Sequence, residues 1–305
     1  MEKNYLTSIR HLFDAQQELQ PIPTSIKTNL STKSNIKCVL FDIYGTLLIS
    51  SSGDIDKLEL STSFILESFS KCGIKIISPN PIEVAKEILE EYKETIAELK
   101  YNVNKNNIES PEIDIRDVWE IIIQSLYYRK LIDKPWIDEV KLLAIYFETL
   151  SNKVYPMPYM KETILQLRKQ KIPIGIISNA QFYTPVIMNY FLDNEIDDKN
   201  KNIKYFDPDL SVYSYLEKIG KPNVLLYEKA LKACQKKYKL QSHEILFVGN
   251  DMLKDVYPAQ STGMQTALFA GDTRSLRLRK DDHRTSDINP DYIIDSLEQI
   301  REIIS

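Results

Sequence analysis

Asp42 ends the apolar run Ile36 to Phe41 and is followed by Ile43-Tyr44-Gly45-Thr46-Leu47. A buried strand that stops at a carboxylate and then breaks at a glycine delivers that carboxylate to the rim of a sheet, where α/β proteins bind ligands. Residues two apart on an extended chain face the same way, and Tyr44 therefore shares whatever site Asp42 serves. A carboxylate at such a strand end is costly to bury alone and requires a partner such as Lys221 or a metal.

Three further polar groups fall at strand ends or helix starts. Ser178-Asn179 closes Ile172 to Ile177, Gly220-Lys221-Pro222 precedes a helix, and Phe247-Val248-Gly249-Asn250-Asp251 is followed by Asp255. Of the eight glycines in the chain, those at 45, 175, 220 and 249 fall in these segments, where close backbone approach matters. Each piece alone has a plainer reading. Ser178-Asn179 suits a turn or helix cap, Gly220-Lys221-Pro222 a loop, and Asp251 and Asp255 the first turn of a helix. Together and in register they point to a site.

The elements that position these groups follow from periodicity. From residue 161 onward helix alternates with buried strand: Glu162 to Gln170 with Ile172 to Ile177, Val224 to Tyr238 with Glu244 to Val248, and Leu253 to Ser261 with Gln265 to Phe269. Tyr292 to Ile294 and a helix to Ile304 close the edge. This alternation predicts a parallel sheet covered by helices on both faces. Between the first motif and this region the chain reads as helical over a stretch far too long for one strand-to-helix connection, which predicts an inserted domain over 52–152.

Within the insert, Asn80-Pro81-Ile82-Glu83 supplies a cap, an N1 proline and an N3 glutamate, and Ala85, Ile88, Leu89, Tyr92, Ile96 and Leu99 repeat at helical spacing. Leu58 to Cys72, Val118 to Leu131 and Trp136 to Leu150 predict three more helices, giving a small bundle. Residues 1–35 read as an extension packed on the main domain, with a short amphipathic helix over 4–19. The core comprises 36–51 and 153–305.

Composition bounds the function. With 305 residues, 43% of them apolar, and a net charge of −4, the chain is globular and carries no strong nucleic-acid footprint. Arg274, Arg277, Arg279, Lys280 and Arg284 cluster but are interrupted by Asp281 and Asp282, as in a solvated loop. Cys38, Cys72 and Cys234 are widely spaced and suggest neither a disulfide framework nor a thiolate metal site, and a reducing cytoplasm is the expected location. No run approaches membrane-spanning length, and no export leader or membrane partner is expected. His11, His243 and His283 lack ligand spacing.

The four motifs, in this order and with a helical insert between the first two, resemble the haloacid dehalogenase superfamily of hydrolases over roughly 36–51 and 155–295. The resemblance implies an α/β fold: a Rossmann-like three-layer core with a parallel sheet, plus an inserted α-helical cap domain. It also implies that Asp42 is a nucleophile that becomes transiently esterified, assisted by Thr46, Ser178, Asn179 and Lys221, with Ser178 bonding the transferred group. Asp42, Asp255 and Asn250 or Asp251 would hold Mg²⁺, a hard cation that prefers oxygen ligands.

The motif departs from that of the superfamily's phosphatases at Tyr44, where they carry a second aspartate that protonates the leaving group. A phenol with pKa near ~10 is a poor base at neutral pH, and losing such a group costs about 10² to 10⁴ in rate. Asp-x-Tyr-Gly-Thr-Leu instead resembles the L-2-haloacid dehalogenases, whose pattern Tyr227 also fits. Those enzymes use an early cap arginine, whereas the insert has none before Arg116, and they have an asparagine where Met252 stands. The balance favours Mg²⁺-dependent hydrolysis of a small phosphorylated molecule, with dehalogenation of a halogenated acid and a non-catalytic binding role as alternatives. Glu112-Ile113-Asp114-Ile115-Arg116, with Asp114 and Arg116 as candidate contacts, is expected to be a cap loop that chooses substrate, although Ser110-Pro111-Glu112 and Asp114 also suit a helix start.

Overall fold

The computed structural model describes residues 2–30, 35–53, 60–104, 109–197, 199 and 201–304. In chain order its strands are β1 (Cys38–Phe41), β2 (Leu48–Ser50), β3 (Val154–Pro156), β4 (Ile174–Ser178), β5 (Ser211–Tyr213), β6 (Ile245–Gly249), β7 (Gln265–Phe269) and β8 (Tyr292–Ile294). The helices are α1 (Glu2–Asp14), α2 (Thr62–Lys71), α3 (Pro81–Asn104), α4 (Ile115–Tyr128), α5 (Val140–Ser151), α6 (Met160–Lys169), α7 (Thr184–Asp193), α8 (Ser214–Glu217), α9 (Leu225–Tyr238), α10 (Tyr257–Ser261) and α11 (Ile300–Ile303).

Six strands form one parallel sheet in the order β5-β4-β1-β6-β7-β8. Alternate residues go to opposite faces, as a period of two requires. Val39, Phe41, Ile174, Ile176, Leu246 and Val248 join the core layer that contains Ile164 and Leu167 of α6 and Val186 and Leu192 of α7. Cys38, Leu40, Ile177, Val212 and Phe247 pack on Leu226, Tyr227, Ala230 and Cys234 of α9. The fold is therefore a Rossmann-like three-layer α/β core.

β2 and β3 pair antiparallel, Ile49 opposite Tyr155, and bring the two ends of the insert together beside the sheet. Between them α2 to α5 form the helical cap around buried Trp119, whose ring meets Tyr92, Phe147 and Phe69 at centroid distances of 5.2, 4.9 and 6.4 Å. Ser61 caps α2; Leu58, the predicted start of that helix, lies outside the described residues. The predicted helix from Trp136 opens as a 3-10 turn, Ile137–Glu139, before α5. The region predicted as a helix from Leu253 begins as a π-helical turn, Met252–Val256.

The N-terminal segment touches both parts of the molecule. On α1, Phe13 packs on Tyr190 of α7 at 5.1 Å, and the Ser8 carbonyl accepts from the Tyr146 hydroxyl of α5. Asn29 then bridges Ile293 along the edge strand β8.

Candidate active site

Every polar motif stands at the C-terminal edge of the sheet, because parallel strands all end on one side. Asp42 leaves β1 with its backbone N–H donating to the Val248 carbonyl of β6 at 2.9 Å. The β1–β4 register, Phe41 opposite Ile176, carries Ser178 to the same rim. The loop after α8 supplies Lys221, whose N–H donates to Asn179 Oδ1 at 2.7 Å. A cavity of about 240 Å³ opens here beneath the cap, and Asp42, Tyr44, Asn179, Lys221, Asn250, Asp251 and Asp255 all line it.

At its base the Lys221 ammonium donates to Asp42 Oδ1 and to Asp255 Oδ1, each at 2.6 Å. All three side chains are buried. Burial disfavours the charge on Lys221, but the flanking carboxylates outweigh it and push its pKa up to about 12. The Asp255 carboxyl is pushed up by burial, with the negative charges of Asp42 and Asp251 adding to that and Lys221 opposing it. Asp255 Oδ2 also accepts from the Asp251 N–H at 3.0 Å. Gly249 permits this approach: a Cβ there would lie 2.4 Å from the Asp255 Cγ.

Two carboxylates sharing one ammonium leave an excess negative charge, which fits a hard divalent cation held by one or two carboxylates with water and substrate completing its shell. Asp42 and Asp255 are the side chains suited to that task. Among the described residues no group of three or more His, Cys, Asp or Glu side chains is placed to hold a metal. The Asp251 carboxylate is engaged by the Arg279 guanidinium at 2.7 and 3.1 Å, and it caps the π-helical turn by accepting from Leu253 N–H at 2.8 Å. Asn250 is held at both ends, accepting from Thr46 Oγ1 at 3.1 Å and donating to the Ser275 carbonyl at 2.6 Å.

The Tyr44 hydroxyl is 2.8 Å from Thr184 Oγ1 at the start of α7. Burial raises the Tyr44 pKa far above its ordinary value, which keeps the phenol neutral. Ser178 Oγ is buried and finds no partner among the described residues, and the same holds for Ser275 Oγ. Ser275 lines the cavity, whereas Ser178 is not among its lining residues.

Several sequence candidates stand elsewhere. Asp114 and Arg116 do not line the cavity, whereas Glu112, Ile113 and Ile115 of the same segment do. Asp114 instead caps α4, accepting from Arg116 N–H at 3.0 Å, and pairs with the Arg116 side chain, which stacks 4.8 Å from the Phe182 ring. Tyr227 is buried beneath the site, donating to the Lys254 carbonyl at 2.7 Å and packing on Phe247 at 5.0 Å. The arginine cluster is not a freely solvated loop: Arg274 pairs with Asp272, Arg279 with Asp251 and Arg284 with Asp282, while Arg277 lines the cavity.

Lys100, Glu148 and Gln181 also line the cavity, with no motif to mark them. Gln181 joins core to cap, donating to the Ile113 carbonyl at 2.9 Å and accepting from Ile115 N–H at 3.0 Å. Glu148 accepts from the hydroxyls of Tyr92 at 2.7 Å and Tyr183 at 3.3 Å. Its one sequence signal is a charge inside a helix whose residues 142–147 and 149 are all buried.

A helical cap over a carboxylate–lysine centre at the edge of a parallel sheet defines a class of α/β hydrolase. The chain belongs to the haloacid dehalogenase-like hydrolases, whose family model matches residues 36–263. It is 27% identical over 161 residues to a glyceraldehyde 3-phosphate phosphatase of Pyrococcus furiosus, a match covering 52% of this chain and 58% of that protein. The enzyme of the same name from Pyrococcus abyssi is 28% identical over 125 residues, covering 41% and 46%. The matched part thus spans about half the length of these curated relatives. The crystal structure of a 2-haloacid dehalogenase from Pseudomonas syringae shares the fold, with a TM-score of 0.54 at 16% identity over 88% of this chain and 98% of that one. Among the described residues no helix is long and apolar enough to cross a membrane.

Proposed function

We propose that the chain hydrolyses a phosphate ester or acyl phosphate of a small molecule, with Asp42 as nucleophile. The observation that carries this reading is the buried ammonium of Lys221 between Asp42 and Asp255, 2.6 Å from each. A compact cation there holds the Asp42 carboxylate in one orientation and faces the negative charge that develops on a transferring phosphoryl group. The phosphatase names of the relatives support the same reading.

In the first step an Asp42 oxygen attacks phosphorus and the ester oxygen leaves, giving an aspartyl phosphate. Water then attacks phosphorus, the bond to Asp42 breaks, and inorganic phosphate departs. Ser178, with its hydroxyl unpartnered, is suited to donate to the phosphoryl oxygens, and Asn179 fixes the loop that carries Lys221. Mg²⁺, when bound by Asp42 and Asp255, supplies neutralisation of phosphoryl charge. The cavity of about 240 Å³ lies just below the usual range for ligand pockets and favours a substrate of triose size over a nucleotide.

Tyr44 supports a second reading, displacement of halide from an L-2-haloacid, which needs no acid for the leaving group. Assays of acetyl phosphate, p-nitrophenyl phosphate and glyceraldehyde 3-phosphate with and without Mg²⁺, beside chloride release from 2-chloropropionate, separate the two. Phosphate turnover that requires Mg²⁺ and is abolished by Asp42→Asn is expected. Chloride release without phosphate release selects the dehalogenase, and no turnover of either kind selects a non-catalytic binding role.

A further inference from the structure

Helix α5 is buried along almost its whole length, yet Glu148 stands in it and lines the cavity that holds Asp42. A smaller adjoining cavity is lined by Tyr44, Glu148 and Tyr183, so the carboxylate lies beside the residue that stands in the place of the missing acid. Tyr44 itself has its hydroxyl committed to Thr184. The phenols of Tyr92 on α3 and Tyr183 ahead of α7 both donate to Glu148 and aim its carboxylate from two sides.

We propose that Glu148, supplied by the cap, carries the protons of the hydrolysis; this rests on the phosphatase reading above. As the bond from Asp42 to phosphorus forms and the ester oxygen–phosphorus bond breaks, the Glu148 carboxyl gives its proton to the departing oxygen. In the second step the carboxylate takes a proton from the water that attacks phosphorus, and the bond to Asp42 breaks to release phosphate. The proton spent in the first step is regained in the second.

The environment supports the role. Burial raises the Glu148 pKa above the ordinary carboxyl value, while the two phenol hydrogen bonds act in the opposite direction. The ionisable groups facing it are Tyr92 of α3, Tyr183 of the segment before α7 and Tyr44 of the segment after β1, all held neutral by burial. A carboxyl moved toward neutrality is a better proton donor at working pH than an ordinary one.

Glu148 also joins Tyr92 of the cap to Tyr183 of the core, and the test must separate catalysis from that structural tie. Glu148→Gln keeps the volume and one acceptor oxygen, while its amide nitrogen donates to the other phenol. With p-nitrophenyl phosphate, whose leaving group needs no proton, it is expected to release a burst of about one equivalent of p-nitrophenolate and then turn over about 10² to 10⁴ more slowly. With an alkyl phosphate such as glycerol 3-phosphate the burst disappears, and the ionisation assigned to Glu148 vanishes from the pH profile. Tyr92→Phe removes a bond that lowers the Glu148 pKa and is expected to move that limb to higher pH. Should Glu148→Gln fail to fold, the position of the limb in Tyr92→Phe decides alone. A Glu148→Gln enzyme with no burst and the wild-type pH profile overturns the inference and leaves the phosphatase reading intact. Wild-type protein without phosphate turnover overturns both.

Discussion

The Lys221 ammonium stands 2.6 Å from the Asp42 carboxylate with both side chains buried. Removing one member of a buried ion pair leaves its partner's charge unpaired, which costs about 3 to 5 kcal/mol. Lys221→Met, which leaves both Asp42 and Asp255 without a cation, is expected to lose that much stability in urea denaturation and all turnover. Adding Asp255→Asn removes one orphaned charge and is expected to recover part of the stability without restoring activity. Equal and additive losses in the two single variants would contradict the shared-cation arrangement.

Tyr44 is expected to be dispensable as an acid. Tyr44→Phe deletes the hydroxyl bonded to Thr184, costing about 1 kcal/mol of stability and changing kcat by less than about threefold. Tyr44→Asp places a carboxyl at this position and, in the Glu148→Gln background, is expected to raise turnover of alkyl phosphates about tenfold or more. Steady-state kinetics on one alkyl and one aryl phosphate measure both effects, and a large loss in Tyr44→Phe would assign the phenol a direct part in the reaction.

Asp251 and Asp255 are expected to differ in their dependence on metal. A ligand that binds the native state stabilises it by about 2.7 kcal/mol at a hundredfold excess over Kd. Thermal melts with added Mg²⁺ should show this shift in the wild type and in Asp251→Asn, whose carboxylate is taken by Arg279. Asp255→Asn should abolish it. The reverse pattern would move the metal to Asp251.

Glu148 supplies a pH-dependent stability difference. Its folded pKa is raised, so the folded state holds the proton more tightly than the unfolded chain. The resulting stabilisation is present below the unfolded carboxyl pKa and is lost as pH rises through the folded value. Glu148→Gln cannot titrate, and its melting temperature relative to wild type is expected to climb in the variant's favour over the pH window above the ordinary carboxyl value of about 4. A constant difference across that window would mean that the carboxyl carries no shift.

Much of the core was legible because its signals are local. Continuous apolar runs marked β1, β4, β6 and β7, and the four cap helices fell close to their predicted spans. The short edge strand β5 and helix α7 carried no such signal. Three residues, Ser211 to Tyr213, are too few to display a period, and they pair with β4 only through the long-range register Ile177 to Val212. The extension at residues 1–35 gave no hint that α1 would reach both α5 and α7.

By itself the sequence determined that Asp42, Ser178 and Asn250 stand at one rim, since each follows a strand of a parallel sheet and all such strands end on the same side. Side-chain partners were decided only by the tertiary structure. Asp251 and Asp255 lie four residues apart and read alike, yet one faces Arg279 and the other Lys221. Electrostatics acts through distances of a few ångströms, and those distances are set by how remote segments pack. For the same reason Glu148 reads as one charge in an apolar helix until the cap is folded over the sheet, where its carboxylate meets Tyr92, Tyr183 and the cavity above Asp42.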